Sequence, residues 1–109
     1  MLLGIPKEQL TEVINIEPYS GNTAYGALFG NPVTIKGYVE FGIKKVVNST
    51  GEEVIANALF FLPPTYQPKT QDKVVYANED YQIIDCQPIL AFGQVHHYEV
   101  YAKSMNTDV

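Results

Sequence analysis

Apolar and polar side chains alternate along the segment PVTIKGYVEFGIKKVV, which begins at residue 32. The apolar residues of one parity are Val33, Ile35, Val39, Phe41 and Ile43. Because successive side chains of a strand leave opposite faces, this period of two predicts a long strand with one buried face. The alternation stops after Lys45, where Val46 and Val47 are adjacent, and the turn-forming residues NSTGEE follow. We therefore predict a hairpin over residues 42–53 that projects from the sheet, with a bend or bulge near Gly42.

Several other segments have the composition of strands. VINIE is a first strand, DKVVYANEDYQIIDC is a second hairpin with its turn at residues 78–80, and VHHYEVYA is a last strand. EVIANALFFL is apolar on both faces, which indicates either a central barrel strand covered by a loop or a strand in a subunit interface. YSGNTAYGALFGNP and QPILAFGQ have no usable period and are predicted to be an ordered loop and a connection. Six strands and no amphipathic helix predict an all-β fold, namely a small antiparallel β-barrel in one domain over residues 1–109.

Composition narrows the function. The chain is 46% hydrophobic and 17% charged, as expected of a folded domain, and its formal net charge is −5 with lysine but no arginine. This charge disfavours tight binding to a nucleic-acid backbone, but it is compatible with an acidic wall along which nucleic acid passes. Cys86 is the single cysteine, so an intrachain disulfide is excluded. We see no signal peptide and no apolar run of membrane-spanning length, and expect no membrane association and synthesis in the cytoplasm.

The stretch FGQVHHYEVYA, residues 92–102, holds both histidines and is the main candidate for chemistry. On a regular strand His96 and His97 leave opposite faces and cannot easily bind one metal ion. We expect His96 on the core face beside Tyr98, and His97 with Glu99 and Tyr101 on the outer face. A metal site built from His97 and Glu99 needs a ligand from elsewhere, and a hydrogen-bonded structural role is the commoner use of such residues.

A Cys86–His nucleophile pair is disfavoured because the cysteine lies in an apolar strand without a neighbouring cation. The carboxylate pairs at 52–53 and 79–80 lie in turns, where they are solvated. We predict a non-enzymatic protein without catalytic residues, metal or cofactor.

The order of motifs carries a resemblance. IPKEQL and VINIEP are followed by YGALFGNPVTIKGYVEF, NSTGEEVIANALFFLP, DKVVYANEDYQIIDCQPI and HHYEVYA. Over most of the chain this order is similar to that of the minor capsid or head-completion proteins of tailed phages and prophages of Gram-positive bacteria.

The resemblance implies a β-barrel that forms a homo-oligomeric ring in the virion neck. Such a ring lies between portal or adaptor proteins and tail-completion or tail-tube proteins, closes the channel of the packaged double-stranded DNA and docks the tail, after assembly in the host cytoplasm. The implied channel-closing residues are Gly42, Ile43, Lys44, Lys45, Asn48, Gly51, Glu52 and Glu53. The residues expected at subunit or ring contacts are Tyr19, Tyr25, Phe29, His97, Glu99 and Tyr101.

Two alternatives stay open. The chain could occupy another connector layer, as an adaptor or tail-completion protein. It could also be a small binding module of the oligonucleotide-binding or SH3-like barrel type, in which tyrosines stack on bases. Salt-dependent binding of single-stranded DNA would favour the binding module.

Overall fold

The computed structural model describes residues 11–48 and 50–105, which form strands and turns and no helix. Accordingly, no helix in this part of the chain has the length and apolarity to cross a membrane. The eight strands are β1 (Glu12–Glu17), β2 (Tyr19–Thr23), β3 (Gly26–Phe29), β4 (Val33–Val47), β5 (Glu53–Leu62), β6 (Lys73–Tyr76), β7 (Glu79–Ala91) and β8 (Gln94–Ser104).

Six of these strands close into an antiparallel barrel in the order β1-β4-β5-β8-β7-β6, with β6 pairing back onto β1. The all-β barrel predicted from the sequence is therefore confirmed. Strands β2 and β3 pair only with each other, as a separate two-stranded sheet.

The barrel is filled by alternate side chains of all six strands, as the period of two requires. Phe60 of β5 lies at the centre of the packing, with its ring edge-on to Tyr81 at a centroid distance of 5.4 Å. The buried core residues are Ile14, Ile16, Ile35, Ala58, Phe60, Leu62, Val74, Tyr81, Ile83, Tyr98, Val100 and Ala102. The doubly apolar strand β5 supplies three of them, so its central part is a barrel strand.

Gly37 marks a close approach between β4 and β5. A Cβ atom at this position would lie 2.6 Å from the backbone oxygen of Phe61 and 3.0 Å from methyl groups of Ile14 and Leu62. Since carbon and oxygen cannot approach so closely, the local barrel geometry requires glycine here.

The predicted alternation of β4 holds only as far as Val39. The register with β5 shifts between Phe41 and Lys44, and both Phe41 and Ile43 are exposed where the pattern predicted burial. A β-bulge at this point changes the direction of the strand. The bulge predicted near Gly42 is confirmed, but the apolar residues beside it do not face the core.

Three other sequence predictions are corrected. Residues 19–29 form the β2–β3 hairpin and not a loop. The supposed connection QPILAFGQ belongs to a long hairpin of β7 and β8, whose turn is Phe92–Gly93. The turn between β6 and β7 falls at Ala77 and Asn78, both with positive φ, one residue before the predicted position.

The antiparallel order assigns the connections to two ends of the barrel. The β2–β3 hairpin, the segment 63–72 and the β7–β8 turn lie at one end, because each follows a strand that runs in the direction of β1. The β4–β5 hairpin and the β6–β7 turn follow strands that run the opposite way. The two ends therefore carry different sets of hairpins.

Candidate interaction surfaces

The two histidines lie on the same side of β8, contrary to the prediction from regular alternation. The register with β7 shifts between Ile89, opposite His97, and Leu90, opposite Val95, so that His96 is an extra residue in β8. This β-bulge brings the Nδ1 atoms of the two imidazoles within 3.0 Å. Strand alternation failed here because a bulge rotates the residues that follow it.

Both histidine rings are held by hydrogen bonds. His97 Nε2 lies 3.2 Å from Glu99 Oε2, and an ionised carboxylate only accepts, so His97 donates through Nε2. With both rings neutral, His97 Nδ1 accepts the hydrogen bond that His96 donates through its own Nδ1. His97 is 4% exposed and its ring packs beside that of Phe61. The prediction that His97 is a surface contact is therefore wrong.

The neighbouring residues of the predicted contact surface have intramolecular partners as well. Glu99 accepts from His97, and Tyr101 packs against the cluster of Val46, Ala56 and Ile84. No group of three or more potential metal ligands occurs within residues 11–48 and 50–105. The histidine pair is thus a structural network at the base of the β7–β8 hairpin.

Cys86 is a protected thiol. Burial, followed by the nearby charges of Asp85 and Asp72, raises its pKa to about 11. Because the thiolate is the nucleophilic form, the cysteine is poorly suited to nucleophilic catalysis near neutral pH.

The β4–β5 hairpin does not extend freely from the barrel. Val46 and Ala56 on one of its faces are buried against Ile84, the residue at which β7 bulges. Its tip is ordered by Asn48, whose Oδ1 accepts from the backbone N–H groups of Thr50 at 3.0 Å and Glu52 at 2.9 Å. The predicted hairpin therefore exists, but it bends over the outer side of the barrel.

The charges on the two arms of this hairpin do not pair with each other. Lys44 and Lys45 are exposed on β4 and Glu53 is exposed on β5, and none of the ion pairs between described residues includes them. Gly51, with φ of 87°, supplies the turn. A groove of about 580 Å³ separates the tip from β7 and is bordered mainly by polar side chains, among them Asn48, Thr50, Glu52, Gln71, Gln82 and Lys103.

The three predicted contact residues of the β2–β3 hairpin have two different roles. Tyr19 and Phe29 pack edge to face within the hairpin, with ring centroids 6.1 Å apart, and the Lys73 ammonium lies 4.9 Å from the centre of the Phe29 ring. Asp72 accepts the backbone N–H of Tyr19 at 2.9 Å. Tyr25 at the tip is 100% exposed. Tyr25 is available to a partner, whereas Tyr19 and Phe29 hold the hairpin on the barrel.

Sequence reasoning missed a second exposed aromatic, at the tip of the β7–β8 hairpin. Phe92 is 97% exposed and has a φ of 54°, and Leu90 beside it is also exposed. Positive φ is unfavourable for a bulky side chain in a tight turn, where asparagine or glycine is usual. The available signal was Gly93 directly after Phe92, which fits a two-residue hairpin turn.

The β2–β3 and β7–β8 hairpins share their position on the barrel and their lack of charged residues. They lie at the same end of the barrel, and neither 18–32 nor 86–97 contains a lysine, arginine, aspartate or glutamate. The third connection at this end, segment 63–72, carries Lys69 and Asp72, so we give the name uncharged end to the two hairpins alone. Each of its hairpins presents one almost fully exposed aromatic ring in a protein whose net charge is −5.

No protein-family model matches the chain, and no curated protein sequence matches it significantly.

Proposed function

We propose that this chain is a structural subunit of the head-to-tail connector of a tailed phage. In this proposal it forms a ring below the portal and adaptor proteins, closes the DNA channel after packaging and docks the tail. The observation that carries the proposal is the uncharged end, with Tyr25 and Phe92 exposed on two hairpins of a closed barrel. The resemblance in motif order supports the same class of protein.

The uncharged end has the composition of a protein-binding surface. Aromatic residues are enriched and charges are depleted at the centres of protein–protein interfaces. Burying a side chain such as that of Phe92 contributes about 1.5–3 kcal/mol relative to leaving it in water. The positive φ of Phe92 adds a local cost, and such costs are concentrated at functional sites. We assign the uncharged end to the contact with the tail or the next connector protein.

The β4–β5 hairpin, which follows a strand running to the other end, is assigned to the channel. It carries Lys44 and Lys45 on one arm and Glu52 and Glu53 on the other, so its charge is balanced. A balanced surface without arginine does not hold phosphate groups tightly, which suits a part that contacts DNA and must release it. Val46 and Ala56 attach this hairpin to the barrel through a small contact, so that a shift of the hairpin disrupts little of the core.

Interrupting the gene in a phage that encodes the protein tests the proposal. We expect DNA-filled heads that leak DNA or fail to join tails, and rescue by the wild-type gene supplied in trans. Infectious particles formed normally without the protein would contradict the function.

Variants test the role of the uncharged end separately. The double variant Tyr25→Ser/Phe92→Ser should fold, because both rings are exposed, yet should fail to rescue tail attachment. Val13→Ser is the matched control, since Val13 is an exposed apolar residue of β1 outside the uncharged end, and it should rescue fully. Salt-dependent binding of single-stranded DNA by the purified protein, together with normal rescue by the double variant, would favour the barrel-type binding module instead.

A further inference from the structure

One face of the β4–β5 hairpin remains uncovered by the barrel. Val46 of β4 and Ala56 of β5 face inward. Their neighbours on these two strands face outward, because successive side chains of a strand alternate. Among the outward residues, Ile43 is 80% exposed, Val47 56% and Ile55 48%. We call this surface the outer hairpin face, which consists of Ile43, Lys45, Val47, Glu53 and Ile55.

The outer hairpin face combines apolar residues with two opposite charges in a fixed arrangement. The register places Lys45 opposite Ile55 and Val47 opposite Glu53. The two apolar side chains therefore lie on one diagonal of a four-residue patch, and the two charged side chains lie on the other. Neither Lys45 nor Glu53 makes a side-chain hydrogen bond or ion pair to the part of the chain that the structure describes.

We propose that two copies of this chain pair through their outer hairpin faces about a two-fold axis. An axis along the Val47–Ile55 diagonal superposes each of these residues on its own counterpart. The same axis places Lys45 of each copy over Glu53 of the second copy. Apolar side chains thus face apolar side chains and opposite charges face each other, so the surface is complementary to itself. The strands of the two hairpins then cross at a large angle, as in orthogonal packing of sheets.

The pairing goes beyond the proposed function and does not depend on it. A two-fold contact closes after two copies, so it is distinct from the contacts that would build a ring. The face contains few side chains compared with the interfaces of stable dimers, and we expect a weak, concentration-dependent dimer of the free protein.

Charge reversal tests the pairing directly. Lys45→Glu places glutamate over glutamate twice in the dimer, and Glu53→Lys places lysine over lysine twice. Each single variant should dimerise at least about tenfold more weakly than the wild type in sedimentation equilibrium. An equimolar mixture of the two variants should regain wild-type affinity, because a mixed dimer restores both opposite-charge contacts, and the variant that combines both reversals should regain it as well.

Lys36→Glu is the matched control, since it makes the same change of net charge at an exposed residue of β4 away from the hairpin. It should dimerise like the wild type. The proposal is overturned if the wild type shows no association, if the single reversals associate as the wild type does, or if the mixture is no tighter than its components. Phage assembly plays no part in this readout, so failure of the pairing and failure of the connector function are distinguishable.

Discussion

The approach of β4 to β5 at Gly37 allows a quantitative test of the barrel. In a Gly37→Ala variant the new methyl group would lie 2.6 Å from the backbone oxygen of Phe61, and the contacts at 3.0 Å to Ile14 and Leu62 leave no space to turn away. The two strands must separate by several tenths of an ångström. Overpacking of this kind costs about 1–3 kcal/mol. Alanine gains roughly 0.5–1 kcal/mol over glycine in a strand through backbone entropy, which offsets only part of that cost.

We therefore expect the free energy of unfolding to fall by about 1–2 kcal/mol, which corresponds to a decrease in Tm of roughly 5–10 °C for a domain of this size. Urea unfolding followed by far-ultraviolet circular dichroism gives the change as a shift of midpoint at constant slope.

Gly42→Ala provides the matched control. Gly42 is also in β4, but a Cβ atom there has no neighbour within 4 Å and its φ is not positive. We expect this variant to be as stable as the wild type or more stable by about 0.5 kcal/mol. Wild-type stability of Gly37→Ala, or an equal loss in both variants, would refute the close packing of β4 on β5.

Three further predictions concern single side chains. Because the pKa of Cys86 is raised from 9.0 to about 11, its alkylation at pH 8 should be about 100-fold slower in the folded than in the urea-unfolded protein. The folded state favours the neutral thiol, so the contribution of Cys86 to the free energy of unfolding is intact below pH 9 and declines between about pH 9 and 11. Equal alkylation rates would show that Cys86 is solvated. Phe92→Asn should raise the free energy of unfolding by about 1 kcal/mol, because asparagine tolerates the positive φ, and a decrease in Tm would contradict the turn geometry. Asp72→Ala should cost about 2–3 kcal/mol in urea unfolding, since the buried carboxylate accepts the N–H groups of Tyr19 and Lys69, both at 2.9 Å; an unchanged midpoint would mean that water replaces it.

The barrel was predictable because burial imposes alternation on its strands. Ile14 and Ile16 of β1 and the parity of β4 up to Val39 follow the period of two and line the core. The β2–β3 hairpin has no such pattern, because it packs on the barrel through Tyr19 and Phe29 and leaves most of its surface in solvent. A pair of strands without a buried face therefore shows no alternation of apolar and polar residues from which it could be predicted.

The candidate surfaces were less predictable because they depend on register. The bulge at His96 is defined by pairing with β7, and no feature of the HHYEV segment alone indicates which residue is extra. QPILAFGQ was predicted to be a connection because it has no usable period, but its Pro88 lies within β7. Since β7 pairs with β6 only as far as Gln82, that edge needs no N–H donor at Pro88. The contacts of Tyr101 could not be predicted for a similar reason, since the hairpin that covers it is formed by β4 and β5, which are distant in sequence.

The even number of barrel strands has a practical consequence for handling the protein. Strand β1 begins with Glu12 and β8 finishes with Ser104 at the same end, opposite the end at which Tyr25 and Phe92 are displayed. A tether attached next to Glu12 or next to Ser104 thus joins the barrel at the far end from both aromatic tips. Molecules immobilised on a sensor chip in either orientation should present the same aromatic pair to a soluble binding partner, and equal binding responses from the two immobilisations are expected.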